Sequence, residues 1–174
     1  MDPASTEAAT TVSPEMNKVF LWPEGNVMVV YTGGPYLSDT TITMRIDGSA
    51  RDRDGIPMGE AFSFWFRTAP LSVSYTSPEN AQLFVAPTQQ IFLNFNSYVI
   101  RSTVQSAFSI TPSVGGTFSF GGTNAEIPSQ IVFTPSGSLQ ANTKYTVTVS
   151  TAAKDLYGIP MKEPYSFSFV IRPN

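Results

Sequence analysis

Two heptapeptides spaced 103 residues apart, Asp52–Met58 (DRDGIPM) and Asp155–Met161 (DLYGIPM), share Asp, Gly, Ile, Pro and Met in register. Each is followed by aromatic residues at every second position: Phe62, Phe64 and Phe66 after the first, Tyr165, Phe167 and Phe169 after the second. A period of two puts all three on one face of a β-strand, and in both copies that face, with Phe64 and Phe167 on it, is expected to form the interior. Further upstream, Val12–Trp22 (VSPEMNKVFLW) matches Ile110–Phe120 (ITPSVGGTFSF) at a spacing of 98, pairing Val12 with Ile110, Phe20 with Phe118 and Trp22 with Phe120. The spacing widens by five through an insertion near Gly121–Ser129 and one residue in the turn that follows. A repeat of about 100 residues is the size of a small domain, so the chain is expected to build one supersecondary plan twice.

The second copy offers seven strand candidates: Leu71–Tyr75, Ile91–Phe95, Phe108–Thr111, Thr117–Phe120, Ile131–Thr134, Thr143–Ser150 and Tyr165–Ile171. Seven short alternating strands between turn residues are the pattern of an immunoglobulin-like sandwich. The first copy offers five: Thr10–Ser13, Val19–Trp22, Val27–Tyr31, Thr40–Ile46 and Ala61–Phe66. Because Met1 aligns with Val99, residues equivalent to Leu71–Tyr98 have no counterpart. The expectation is an all-β chain of two tandem immunoglobulin-like β-sandwiches: an incomplete one at 1–68, lacking its first two strands, and a complete one at 69–174. A sandwich short of strands leaves part of its core and a sheet edge uncovered. Such a chain reads either as a fragment or mis-started reading of a longer protein, or as one whose missing strands come from a partner chain. The join FRTAPLSVSY, with Pro70 restricting Ala69 to extended conformations, predicts a stiff connection.

Composition narrows the chemistry. There is no histidine and no cysteine, which removes the usual general base of acyl-transfer triads, the commonest zinc ligand, thiolate nucleophiles and disulfides together. Net charge is −3 with no basic stripe, so no nucleic-acid partner is expected. No apolar run reaches membrane-helix length, and MDPASTEAATT has neither the basic nor the apolar region of a secretory signal.

Few residues remain for site chemistry, and each has a plain structural reading. Asp47, Asp52 and Asp54, in IDGSARDRDG, could ligate calcium through oxygen. Yet the spacing departs from a calcium loop, Arg51 and Arg53 interleave, and the second copy keeps only Asp155. The structural reading makes Asp52 and Asp155 acceptors in an Asx-type turn, with Gly55 and Gly158 at positive φ. Leu139–Tyr145 (LQANTKY) has the spacing of a tyrosine corner, in which the phenol bonds back to the main chain. Trp22 is expected in the core. Trp65 alternates with Phe64 and Phe66, so it faces the other way, where an indole could stack on a sugar or pack on a neighbour. Glu60, Glu126 and Glu163 are isolated, and neither a G-x-S-x-G elbow nor a Ser-x-x-Lys motif occurs. No catalytic residue and no cofactor is expected.

Ser77–Asn96 (SPENAQLFVAPTQQIFLNFN) resembles the opening of the bacterial immunoglobulin-like domain of the S-layer surface-protein type. Ile131–Ser150, Ala153–Met161 and Tyr165–Phe169 resemble its closing half, and MDPAST resembles the segment after that family's second strand. Two departures stand out: Val99–Arg101 replaces the usual Met-Asp-Pro, weakening a turn signal, and Ile42 replaces the Tyr expected opposite Tyr145, implying a looser corner in the first copy. The resemblance implies a non-enzymatic spacer in a larger secreted or surface-anchored bacterial protein, with neighbouring domains of the same polypeptide as its partners. Two alternatives stay open. One is an adhesion module taking cell-wall glycan or a protein ligand through Trp65 or loops such as Gly121–Ser129; the other is an accessory stretch of a large extracellular enzyme or a macroglobulin-like protein.

Overall fold

In the computed structural model, which describes residues 1–32, 34–121 and 128–173, the chain divides into two units, Met1–Ala69 and Pro70–Asn174. The first opens with a one-and-a-half-turn helix that alternation does not reveal, α1 (Pro3–Ala8). Its signal is local: Asp2 accepts the Ser5 N–H at 2.8 Å and Pro3 occupies the first turn, where a missing N–H costs nothing. Strands β1 (Thr10–Ser13), β2 (Val19–Glu24), β3 (Val27–Tyr31), β4 (Thr41–Ile46) and β5 (Phe62–Arg67) follow. They form two antiparallel sheets, β1-β4-β5 and β2-β3. Ile42 and Ala50 are fully buried. The β3 edge away from β2 and the β5 edge away from β4 pair with no strand among the described residues.

Among its described residues the second unit has eight strands where alternation predicts seven: β6 (Val73–Ser77), β7 (Gln82–Val85), β8 (Ile91–Phe95), β9 (Phe108–Thr111), β10 (Gly116–Gly121), β11 (Gln130–Pro135), β12 (Lys144–Val149) and β13 (Tyr165–Ile171). They form sheets β10-β11-β8-β6 and β7-β13-β12-β9. The unforeseen strand, β7, runs parallel to β13 and pairs Gln82 with Phe169 and Val85 with Ile171. Only Val85 of its four residues is buried, and Ala81 and Phe84 have φ of 63° and 57°, so it carries no period-two signal. Among the described residues, three strands of the second unit, β6, β7 and β8, therefore lack a counterpart in the first unit, rather than two.

The two sheets of the second unit close over alternate-position side chains. Ile91, Leu93 and Phe95 from β8 meet Val147 and Val149 from β12 and Phe167, Phe169 and Ile171 from β13, all buried. Phe108, Phe118 and Phe133 form a ring cluster with centroids 4.9 to 5.2 Å apart. Gly116 is required here, since a Cβ on it would collide with the Phe133 ring. A second short helix, α2 (Arg101–Ala107), buries Val104 and Ala107. Its N-cap Ile100 makes no side-chain cap bond, the local result of losing the Asp that caps α1. No helix among the described residues is long and apolar enough to cross a membrane.

Candidate functional site

The paired heptapeptides build the same turn in both units. Asp52 Oδ1 accepts the N–H groups of Asp54 and Ile56, each at 2.9 Å; Asp155 Oδ1 accepts those of Tyr157 and Ile159 at 3.0 and 2.8 Å. Gly55 and Gly158 have φ of 83° and 86°, a conformation that an L side chain resists. The last residue of each heptapeptide donates its N–H to an alanine carbonyl, Met58 to Ala50 and Met161 to Ala153. The carboxylates of these turns are thus engaged in holding the main chain. Asp47, the first of the three calcium candidates, accepts the Ser49 N–H at 3.1 Å and pairs with Arg45 at 3.1 Å. The Ser49 hydrogen bond and the neighbouring guanidinium hold its carboxyl below the usual carboxylate range. Asp47, Asp52 and Asp54 are not brought together: among the described residues no group of three His, Cys, Asp or Glu side chains converges as a metal site.

The tyrosine corner forms as its spacing predicts. Tyr145 is buried and its phenol oxygen accepts the Gln140 N–H at 3.0 Å. In the first unit the aligned residue is Ile42, and a different device fastens the corner. The Thr68 hydroxyl donates to the Leu37 carbonyl at 2.6 Å and accepts the Thr40 N–H at 2.9 Å, while Tyr36 meets Phe66 edge-on. The corner expected to be loose is tied from β5's C-terminal end instead.

Trp22, expected in the core, is only half-buried; its indole N–H donates to Glu7 Oε1 at 2.7 Å. An indole needs a partner for its N–H, and the β2 terminus beside α1 supplies one that a dry interior would not. Trp65 faces outward, opposite Thr43 in the β4–β5 ladder, and is 69% exposed. Glu60 and Glu163 lie on the surface; Glu126 and the centre of the Gly121–Ser129 loop fall outside the described residues.

The largest contrast between the units concerns the aromatic stripe. Phe167 is 2% exposed, whereas Phe64, its partner in the repeat, is 46% exposed. Phe62 is exposed as well, and Phe66 only half-buried. The expectation that Phe64 is interior is corrected, and the cause is the absence of strands facing it. Met28 and Val30 from β3, Met44 and Ile46 from β4, and Phe62 and Phe64 from β5 line a groove of about 300 Å³. The residues that align with them in the second unit are Ile131, Phe133, Val147, Val149, Tyr165 and Phe167, of which all but the half-buried Tyr165 are buried. What is core in one unit is therefore a wall open to water in the other. The strand count of the sequence points to an uncovered face but not to the residues that line it.

Residues 67–170 match the family described as bacterial Ig-like domain. Among solved structures, the chain is similar to an L,D-transpeptidase from Mycobacterium smegmatis, at 17% identity over 60% of this chain and 41% of that one, with a TM-score of 0.42. It is also similar to an L,D-transpeptidase from Mycobacterium tuberculosis H37Rv, at 16% identity over 58% and 40% of the two chains, with a TM-score of 0.40. The chain spans about two fifths of the length of these structures. No curated protein matches it.

Proposed function

The chain belongs to the bacterial Ig-like domain family, and from that premise we propose that it is a non-enzymatic structural stretch of a larger exported or cell-surface polypeptide, built from two tandem modules of the S-layer type. Its work is to hold neighbouring domains at a set separation. The observation that carries this reading is how the second unit spends its distinctive polar groups. Asp155 and Tyr145 are both buried and both accept main-chain N–H groups, fastening a turn and a corner. Side chains that could do chemistry elsewhere serve here to make the sandwich cooperative. The test is replacement in the parent polypeptide. Exchanging residues 70–174 for an unrelated immunoglobulin-like module of similar length is expected to leave the activity and surface display of adjoining domains unchanged. Loss of activity that returns only with this module's own surface residues would overturn the reading.

A second reading, adhesion, is favoured by one residue. The indole of Trp65 is presented to solvent on β5, in the manner of a sugar-stacking platform. Binding on a glycan array that disappears in Trp65→Ala would support it, and a blank array would remove it.

A further inference from the structure

We propose that the first unit is an acceptor whose open face takes an extended segment with the chemistry of Leu71–Phe95, donated by the same polypeptide at the place in the order of elements that β6–β8 hold before α2. The inference rests on the tandem-module reading. If the acceptor role fails, the spacer role of the second unit is untouched, because the two are tested on different residues.

Three observations converge on this occupant. The first is side-chain type. All six residues lining the groove, Met28, Val30, Met44, Ile46, Phe62 and Phe64, are apolar, as are their counterparts apart from the hydroxyl of Tyr165. A face meant for water would have polar residues at alternate positions of β3, β4 and β5. The second is main-chain chemistry. β3 and β5 line the groove, and among the described residues their outer edges, β3 away from β2 and β5 away from β4, pair with no strand, leaving edge N–H and C=O groups outside any ladder. The equivalent edges in the second unit are taken by β8 on β11, antiparallel, and by β7 on β13, parallel.

The third is register, which states what the occupant must look like. Ile131 pairs with Leu93 and Phe133 with Ile91. Carried through the repeat, this sets a Leu-type residue beside Met28 and an Ile-type residue beside Val30, with a Phe two positions further along lying over the groove. Beside β5, the pairing of Ile171 with Val85 carries over to Thr68 and asks for one small β-branched residue. A strand reading Ile-x-Leu-x-Phe, preceded by a short parallel segment ending in Val, meets all of these demands at once. Strand addition supplies affinity through the ladder and specificity through alternate side chains. A second copy of this chain is a poorer donor, since its own Val85, Ile91, Leu93 and Phe95 are already buried in its closed sandwich.

The experiment compares the chain as it stands with a version carrying a second copy of Leu71–Tyr98 placed before Met1. Amide exchange in β3 and β5 is expected to slow by about tenfold or more, and binding of an apolar fluorescent dye to fall to background. A version in which the added copies of Ile91, Leu93 and Phe95 are all serine is expected to do neither. A synthetic Leu71–Tyr98 peptide, added to the unmodified chain, gives the same readout should the extended version not fold. Unchanged exchange in β3 and β5 with both the extension and the peptide would overturn the proposal. So would protection of that face by concentration-dependent self-association in the unmodified chain, which would make a second copy the occupant.

Discussion

Phe64 and Phe167 are the same residue at equivalent positions of a repeat, differing in what faces them, and their truncation separates the two environments. Phe167 is 2% exposed and enclosed by both sheets, so Phe167→Ala removes a buried ring and leaves a cavity, at a cost of about 3–5 kcal/mol. Phe64 is 46% exposed. Full burial of a phenylalanine is worth roughly 1.5–3 kcal/mol, and Phe64 realises about half of that. Its removal widens a groove that water already enters, so no cavity term is added. Phe64→Ala is therefore expected to cost about 0.8–1.5 kcal/mol. The assay is urea denaturation of the whole chain. Both tryptophans, Trp22 and Trp65, lie in the first unit, so indole fluorescence follows that unit alone, while amide exchange follows the second. With a slope of about 1.5 kcal/mol per molar urea, Phe167→Ala lowers the midpoint of its unit by about 2–3 M, and Phe64→Ala that of the first unit by less than about 1 M. Equal losses, or a larger one at Phe64, would refute the reasoning.

Three other perturbations test the way the units are fastened. Tyr145→Phe deletes the acceptor of the Gln140 N–H and is expected to lower the stability of the second unit by about 1 kcal/mol, leaving the fluorescence transition of the first unit in place. Asp155→Ala removes a fully buried carboxylate and strands the two main-chain N–H groups it accepts, and is expected to cost about 2–3 kcal/mol, more than Asp52→Ala, whose turn is open to water; chemical denaturation of each variant checks the order. Gly116→Ala drives a methyl group into the Phe133 ring and is expected to cost about 1–3 kcal/mol by the same measurement.

Much of this architecture is legible in the residues because two periodicities coincide. Phe167 and Phe169 alternate as a strand must, and the GIPM turn recurs with a glycine at the position that needs positive φ, so strand, turn and repeat reinforce one another. β7 carries no sequence signal because parallel pairing with β13, not alternation, holds it in place; three of its four residues are exposed. The helices leave no periodic signal because six or seven residues are too few for a helical period, although Asp2-Pro3 is a start signal in its own right. Trp22 reads as core through its alignment with Phe120, but Phe120 is itself only half-buried, and the indole N–H of Trp22 takes the Glu7 carboxylate as its partner. At the candidate face, the strand count in the sequence pointed to a gap. Which six side chains the gap bares depended on the pairing of β3 and the register of β4 against β5, neither of which the residues declare.

The aromatic stripe of β5 is the uncovered counterpart of the stripe buried in β13. Residue-resolved amide exchange of the unmodified chain at low concentration measures this directly. Protection across Tyr165–Ile171 is expected to approach that of global unfolding, with Phe62–Arg67 exchanging at least about a hundredfold faster through local opening. Matching protection in the two strands would contradict the account.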